Sequence, residues 1–502
     1  MNTPSLAAGR SILPRPAMER DVALGIGLLA VALLGLLVAS RISFALFYAT
    51  GAVVLATLAY LSYRIPRAML IAVVFTPIVD RYLVSLLIPE SLHGLTNYLS
   101  EALLLLVAIS IGVRAWRDRA LVPALRHPVV VFVAAFVGIG LLSAVVNGVP
   151  PLIAVAGIVF TVEAVALFVL PRAVGMTLGY AKVAMIGFTA LATVAALLAL
   201  GQVVLHADFL GMQSFSGRFN EGRRVAAFLV NPNMLGVVLA MAIPMPLLAT
   251  TSSASWRGRI GWGTLTFVLA LALLYTFSRG AWLGLAAAAV LIGLFLDPRA
   301  LIVLVLFGFI SYGSAVVLPR HVLEPDPGDV GFDLGAATVG RLDTISGGGD
   351  LRVLFVENAA PIIADHPILG AGPGRYGGAV AWRFGTPLSA QYTAGSVPRD
   401  RTVDNFWLHL IVEFGLLGSL VFASAIAIAV RRTVADARRS DRWPALVMGS
   451  AAAIAVIVGV DSISEMLLEG NTTSFPVWFF LGVASVLGAA APRAVASRRL
   501  AR

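Results

Sequence analysis

The chain has 502 residues, 59% of them apolar and only 12% charged, and its mean hydropathy is +0.92. A soluble domain carries about a quarter of its residues charged, so a water-soluble globule is excluded; the absence of cysteine also excludes disulfides, thiolate catalysis and Cys-based metal sites. The formal net charge of +10 would suit a nucleic-acid ligand only as a basic, aromatic-interleaved stripe in a soluble segment; no such stripe exists, so no nucleic-acid partner is expected.

In chain order, segment 1–21 holds Arg10, Arg15 and Arg20 and leads into a full-length apolar span without a small-residue cleavage site. It reads as a cytoplasmic N-terminus before a signal anchor, not as a cleaved leader. Apolar runs follow at 22–40, 43–62, 68–88, 97–113, 128–146, 151–170, 180–205, 225–250, 260–277, 280–296 and 300–317, and again at 404–430, 444–468 and 474–491. Each is long enough for roughly 30 Å of hydrocarbon. Uncharged runs of this length mean helices, because in lipid the backbone must satisfy its own hydrogen bonds. The expected fold is an all-α integral membrane protein of about 14 transmembrane helices, with 22–317 and 404–491 as its two helical blocks. Most of the 36 Lys and Arg residues fall in short segments that are cytoplasmic when the N-terminus is inside, the C-terminal 492–502 among them; this is the bias that sets orientation. Pro77 and Pro244 read as helix kinks and Asp80–Arg81 as an internal ion pair.

The same orientation puts 318–403, between spans 11 and 12, outside the cell as one large extracytoplasmic loop. Its first part is rich in Gly, Pro and Asp, a helical pattern runs from Asp350 to Asp365, and Pro367 closes it ahead of the Gly-rich turn Gly370–Gly374. A loop this long with little secondary structure is unusual unless functional; it is expected to pack on the outer membrane surface as a lid. Gly370-x-Gly-x-Gly374 follows a helical stretch and lacks a βαβ unit, so it is not a dinucleotide fingerprint.

Elsewhere the outer face reads as poor in charge except at two places. Arg218, Arg223 and Arg224 precede Asn231-Pro-Asn233, and Arg279 sits in Phe277-Ser-Arg-Gly280. Snorkelling accounts equally well for Arg218 and Arg223. Arg224 and Arg279 lie at the mouths of spans, flanked by small residues, where topology does not require them. Two guanidinium forks on one leaflet suit a lipid-linked phosphate or diphosphate. A third cluster opens the twelfth span: Asp404 and Asn405 stand where either a helix cap or a reactive group could sit. His409 and Glu413, four residues apart, share a helix face, and a carboxylate within a span is functional or paired by default. One His and one Glu are too few ligands for a metal, and no cofactor is expected.

These residues together resemble the bacterial O-antigen ligase and O-antigen polymerase superfamily. Arg224 with Asn231-Pro-Asn233, Ser278-Arg-Gly280, His366-Pro-Ile-Leu-Gly-Ala-Gly-Pro-Gly374, and Asp404-Asn405 through Glu413-Phe-Gly-Leu-Leu-Gly418 match its motifs in order. The resemblance covers roughly 218–430 and implies a metal-independent glycosyltransferase of the bacterial cytoplasmic membrane. Such an enzyme takes a polyprenyl-diphosphate-linked glycan as donor and a lipid-linked or lipid-core glycan as acceptor, with membrane lipids around it. Arg224, Arg279 and Asp404 would be catalytic, the arginines on the diphosphate and a base at the loop–membrane junction. Arg218, Arg223, Asn233, Arg352, Arg375, Asn405, His409 and Glu413 would contact substrate. Family members, ligases especially, carry His where this chain has Asp404, which favours a polymerase over a ligase. A flippase for lipid-linked oligosaccharide is the competing class, but the sequence shows no internal repeat or matched pair of broken spans.

Overall fold

The computed structural model describes residues 35, 38, 44–87, 98–205, 224–229, 231–317, 351–380 and 403–500. Described residues form helices and turns, with no strand among them. The helices are α1 (Phe44–Arg64), α2 (Pro66–Leu87), α3 (Leu99–Arg117), the short α4 (Leu121–Leu125), α5 (Pro128–Val146), α6 (Pro151–Val162), α7 (Ala166–Ala173) and α8 (Leu178–Leu205). They continue with α9 (Pro232–Ala242), α10 (Pro244–Ser252), α11 (Trp256–Tyr275), α12 (Arg279–Phe295), α13 (Pro298–Val317), α14 (Leu351–Asp365), α15 (Phe406–Ala437), α16 (Arg442–Asp461) and α17 (Asn471–Leu500). Nine helical stretches among the described residues are long and apolar enough to cross a membrane, and Arg279–Phe295 and Pro298–Gly313 are shorter apolar helices. The first expected span lies almost wholly outside the described residues.

Several spans are not continuous rods. The 151–173 stretch passes through a 3₁₀ turn at Glu163–Val165. Pro244 divides the eighth span into α9 and α10, as expected where a proline lacks the donor and crowds the preceding turn; Pro77 lies within α2. Asp80 accepts a hydrogen bond from Ser100 Oγ at 2.5 Å, while the side chain of Arg81 lies outside the described residues.

In lipid, burial of apolar side chains does not by itself hold helices together, because the tails are as apolar as leucine; close packing and polar contacts do. The centre of the bundle is accordingly dense. α15 packs on α5 and α16, α16 on α12, and α17 on α7. Phe136 of α5 stacks on Phe414 and Phe422 of α15 at centroid separations of 4.4 and 5.1 Å. Trp478 of α17, fully buried, continues the chain of rings between Phe422 and Phe168. On α12 the buried face includes Ala281, Gly284, Ala288 and Ala289, small residues that let α16 approach. Large apolar side chains such as Val145, Leu152 and Phe309 stand exposed on the periphery, as expected of surfaces that face hydrocarbon.

Candidate active site

The N-termini of α9 and α12 and the turn after α16 meet around a cavity of about 60 Å³, lined by Arg224, Asn233, Phe277, Ser278, Arg279, Gly280, Ser464 and Glu465. Each wall has a local cause. Asn231 caps α9 by accepting from the Asn233 N–H at 2.8 Å, and Pro232 takes the first helical position, where its missing N–H costs nothing. This leaves the Asn233 side chain available for the cavity. Its Oδ1 accepts from Arg224 Nη2 and its Nδ2 donates to Glu465 Oε1. Arg224 is held a second time, Nε donating to the Thr276 carbonyl at 2.8 Å. α11 and α12 are joined by only Thr276–Ser278, and Phe277 bridges them with a left-handed φ of 51°. That conformation is costly for a bulky residue, and it sits beside Arg279 in the cavity wall.

The turn after α16 carries acid, with Glu465 in the cavity lining. Asp461 ends α16 nearly fully buried and accepts from Ser464 Oγ at 2.8 Å. Its carboxylate lies against the first turn of α12, so close that a Cβ on Gly280 would fall 1.8 Å from Asp461 Oδ1. A glycine is therefore required there. A carboxylate at a helix N-terminus is also electrostatically favourable.

The loop motif and the start of α15 form a second assembly. Asn405 is the cap: its Oδ1 accepts from the Leu408 N–H at 2.9 Å, so the capping role weighed for Asp404 belongs to its neighbour. The Phe406 N–H donates to the Ser462 and Glu465 carbonyls at 3.0 and 3.3 Å, which ties this helix start to the turn that carries Glu465. Asp404 itself does not line the cavity. Glu413 is fully buried, and its two oxygens accept from the backbone N–H groups of Gly374 and Tyr376, both at 2.6 Å. His409 Nδ1 meets the Tyr376 carbonyl at 2.5 Å, and its Nε2 lies 3.6 Å from Glu469, whose other oxygen accepts from the Ala379 N–H at 2.8 Å. His409 and Glu413, both expected to contact substrate, thus hold the Gly-rich turn.

That turn is set into a break in α15. At Gly415, φ is 68° and ψ −178°, a conformation essentially confined to glycine. In an unbroken helix Leu416 and Leu417 would donate to Val412 and Glu413. Here those carbonyls accept from Ala371 and Gly372 at 2.8 and 3.1 Å, while Leu416 and Leu417 donate to Pro367 and Ile368 at 3.0 and 3.2 Å. The loop backbone supplies the bonds that the broken helix lacks, as a non-helical segment within a membrane protein must. The Gly370 carbonyl is further held by Asn147 Nδ2 at 3.0 Å. Tyr376 is buried, its hydroxyl donating to the Phe355 carbonyl at 3.1 Å; burial pushes its phenol well above the usual range, so it stays a donor. Arg375 is half-buried and donates to the Ala371 carbonyl at 3.3 Å.

Among the residues expected at the site, Arg224, Asn233 and Arg279 come together on one cavity. Asn405, His409, Glu413 and Arg375 belong to the neighbouring loop assembly. Arg218 and Arg223 lie outside the described residues, as does the side chain of Arg352. Sequence reasoning passed over Asp461, Glu465 and Glu469, which stand at the end of α16 and in the turn after it; their spacing of four was the available signal. Among the described residues no cluster of three or more ligands suits a metal ion.

The architecture is that of an all-helical, multi-pass membrane protein with a polar, arginine-bearing cavity at its helix ends. Residues 264–423 match the family described as O-Antigen ligase, which supports the resemblance to the O-antigen ligase and polymerase superfamily. The matched stretch contains Arg279, the loop motif and the start of α15; Arg224, Asn233 and Glu465 lie outside it. No curated protein matches the chain.

Proposed function

We propose that the protein is a metal-independent glycosyltransferase of the bacterial cytoplasmic membrane. It transfers an oligosaccharide from a polyprenyl diphosphate to the hydroxyl of a lipid-linked or lipid-core glycan, and polymerase activity is favoured over ligation. The observation that carries this reading is the convergence of Arg224 and Arg279 on one small cavity. Glycosyl transfer from a diphosphate leaves charge on the departing phosphate oxygen. Preorganised cationic donors in a water-poor site are the largest single aid to such a step. Guanidinium forks match phosphate bidentately and supply the positive charge that a divalent cation would otherwise bring. Arg218, Arg223, Arg352 and Arg375 are proposed further contacts to glycan or phosphate. His409 and Glu413 are proposed to hold the Gly-rich turn, not substrate.

In this reading the chain has about 14 spans, both termini are cytoplasmic, and 318–403 lies outside as a lid over the cavity. Asp at position 404 and the length of that loop, which has room for a growing chain, favour the polymerase. A lipid-linked-oligosaccharide flippase is the second reading, which the number of spans and a basic cavity would also suit. The test is transfer by purified protein from a polyprenyl-diphosphate-linked glycan to a lipid-linked acceptor. Arg224→Ala and Arg279→Ala should each lower turnover at least a hundredfold, the scale of losing one transition-state donor. Full turnover in both variants, or flipping of labelled lipid without transfer, would overturn the reading.

A further inference from the structure

We infer that Glu465 is the general base that takes the proton from the acceptor hydroxyl. The inference rests on the diphosphate reading of the same cavity and assigns the group that reading leaves open.

Among the described residues, Glu465 is the one carboxylate in the cavity lining. The other lining side chains are arginine, asparagine, phenylalanine and serine, and none of these accepts a proton readily near neutral pH. Asp404, the base expected from the sequence, does not line the cavity. Its helix start is tied to the same turn by the Phe406 N–H on the Ser462 and Glu465 carbonyls, while the Glu465 side chain itself enters the cavity.

The position of Glu465 is built. The turn after α16 is fastened by the Ser464 N–H on the Asp461 carbonyl at 2.8 Å and by Ser464 Oγ on the Asp461 carboxylate. The Asn233 amide then fixes the carboxylate from one side while accepting from Arg224 on the other. One amide thus separates the acid from the guanidinium that would hold the leaving group. Acid and guanidinium thus border the same cavity, where the acceptor hydroxyl and the leaving oxygen would meet.

In the step itself, a Glu465 oxygen accepts the acceptor's hydroxyl proton as that hydroxyl oxygen bonds to the anomeric carbon. The bond from that carbon to the diphosphate oxygen breaks, and its electron pair leaves on the phosphate beside Arg224 and Arg279. The carboxylic acid then returns its proton to water outside the membrane.

The test uses the full-length purified protein with a polyprenyl-diphosphate-linked glycan as donor and a sugar-free polyprenyl diphosphate as binding probe. Glu465→Gln keeps an oxygen for Asn233 but cannot take the proton. Its kcat should fall about a hundred- to ten-thousandfold while probe affinity stays within a few-fold of wild type. The acid limb of the kcat/KM profile should vanish, and Glu465→Asp should recover part of the loss. Asp404→Asn should keep that limb. Wild-type kcat in Glu465→Gln, an unchanged acid limb, or loss of probe binding in step with turnover would each overturn the assignment. If Arg224→Ala and Arg279→Ala fail while Glu465→Gln does not, only the base is misassigned. If all three turn over normally, the diphosphate reading falls with it.

Discussion

Asn233 joins the two halves of the cavity, and its importance follows from what each end of its amide holds. Truncation to alanine would release Arg224 Nη2 and Glu465 Oε1 together. Asn233→Ala should therefore lower kcat more than tenfold, and combining it with Arg224→Ala should add little, because residues in one network couple by about 0.5–3 kcal/mol. A double-mutant cycle on kcat/KM measures this; strict additivity would show that the amide links nothing. Glu413 predicts a different outcome. Glu413→Ala would leave the Gly374 and Tyr376 N–H groups buried without a partner, at roughly 1–3 kcal/mol for each. A lower melting temperature and faster proteolysis after Arg375 should report it. Arg224 and Arg279 were legible in the sequence because arginine at a span mouth that topology does not need is conspicuous. The partners of Glu413 were not, since backbone N–H groups 39 and 37 residues away carry no side-chain identity to read.

At the level of elements, the helix start and the break in α15 bear most directly on the site. Gly415→Ala would force a side chain into a glycine-only conformation and bring its Cβ within 2.1 Å of the Ile368 carbonyl. It should uncouple the loop from α15 and cost at least about 1–3 kcal/mol of stability, visible as a melting shift in detergent; an unchanged melting point would mean that the loop does not lean on the break. α5 begins with a titratable cap. His127 Nδ1 accepts from the Val129 N–H at 3.2 Å, which requires an unprotonated ring nitrogen. Burial, with Arg172 and Arg432 nearby, lowers the His127 pKa to about 4. The fold thus favours the neutral ring. Stability from this cap is fully present above the unfolded value of about 6.5 and is lost as pH falls toward 4, because the unfolded chain takes up the proton first. His127→Asn keeps a capping oxygen and does not titrate, so thermal unfolding between pH 7 and 4.5 should be less pH-dependent in that variant. Existence and order of the apolar helices were readable from run length and from Pro77 and Pro244. The break at Gly415 was not, because a helix interrupted by another segment's backbone leaves no hydrophobic period of its own.

For the molecule as a whole, the proposed sidedness predicts which turns a reagent outside the cell can reach. The chain has no cysteine, so single cysteines can be introduced without background. Ile368, in the loop motif, is 65% exposed, and Ser440 lies in the arginine-rich turn between α15 and α16. In intact cells an impermeant maleimide should label Ile368→Cys, and should reach Ser440→Cys only after permeabilisation; the reverse pattern would invert the topology. The cavity draws on segments around 224–233, 276–280 and 461–465, which only the packed bundle brings together, so the sequence indicated its ingredients more clearly than its membership.

The break in α15 also orders events in time. A ribosome delivers α5, with Asn147, before the segment His366–Gly378, and delivers Glu413 and Gly415 after it. When the motif first reaches its side of the membrane, one wall of its berth exists and the other has yet to be made. Its amides must wait, solvated, until α15 arrives and its carbonyls and the Glu413 carboxylate collect them. Docking of the Gly-rich turn is therefore a late step in biogenesis, and a nascent chain stopped short of Glu413 would leave it unfastened.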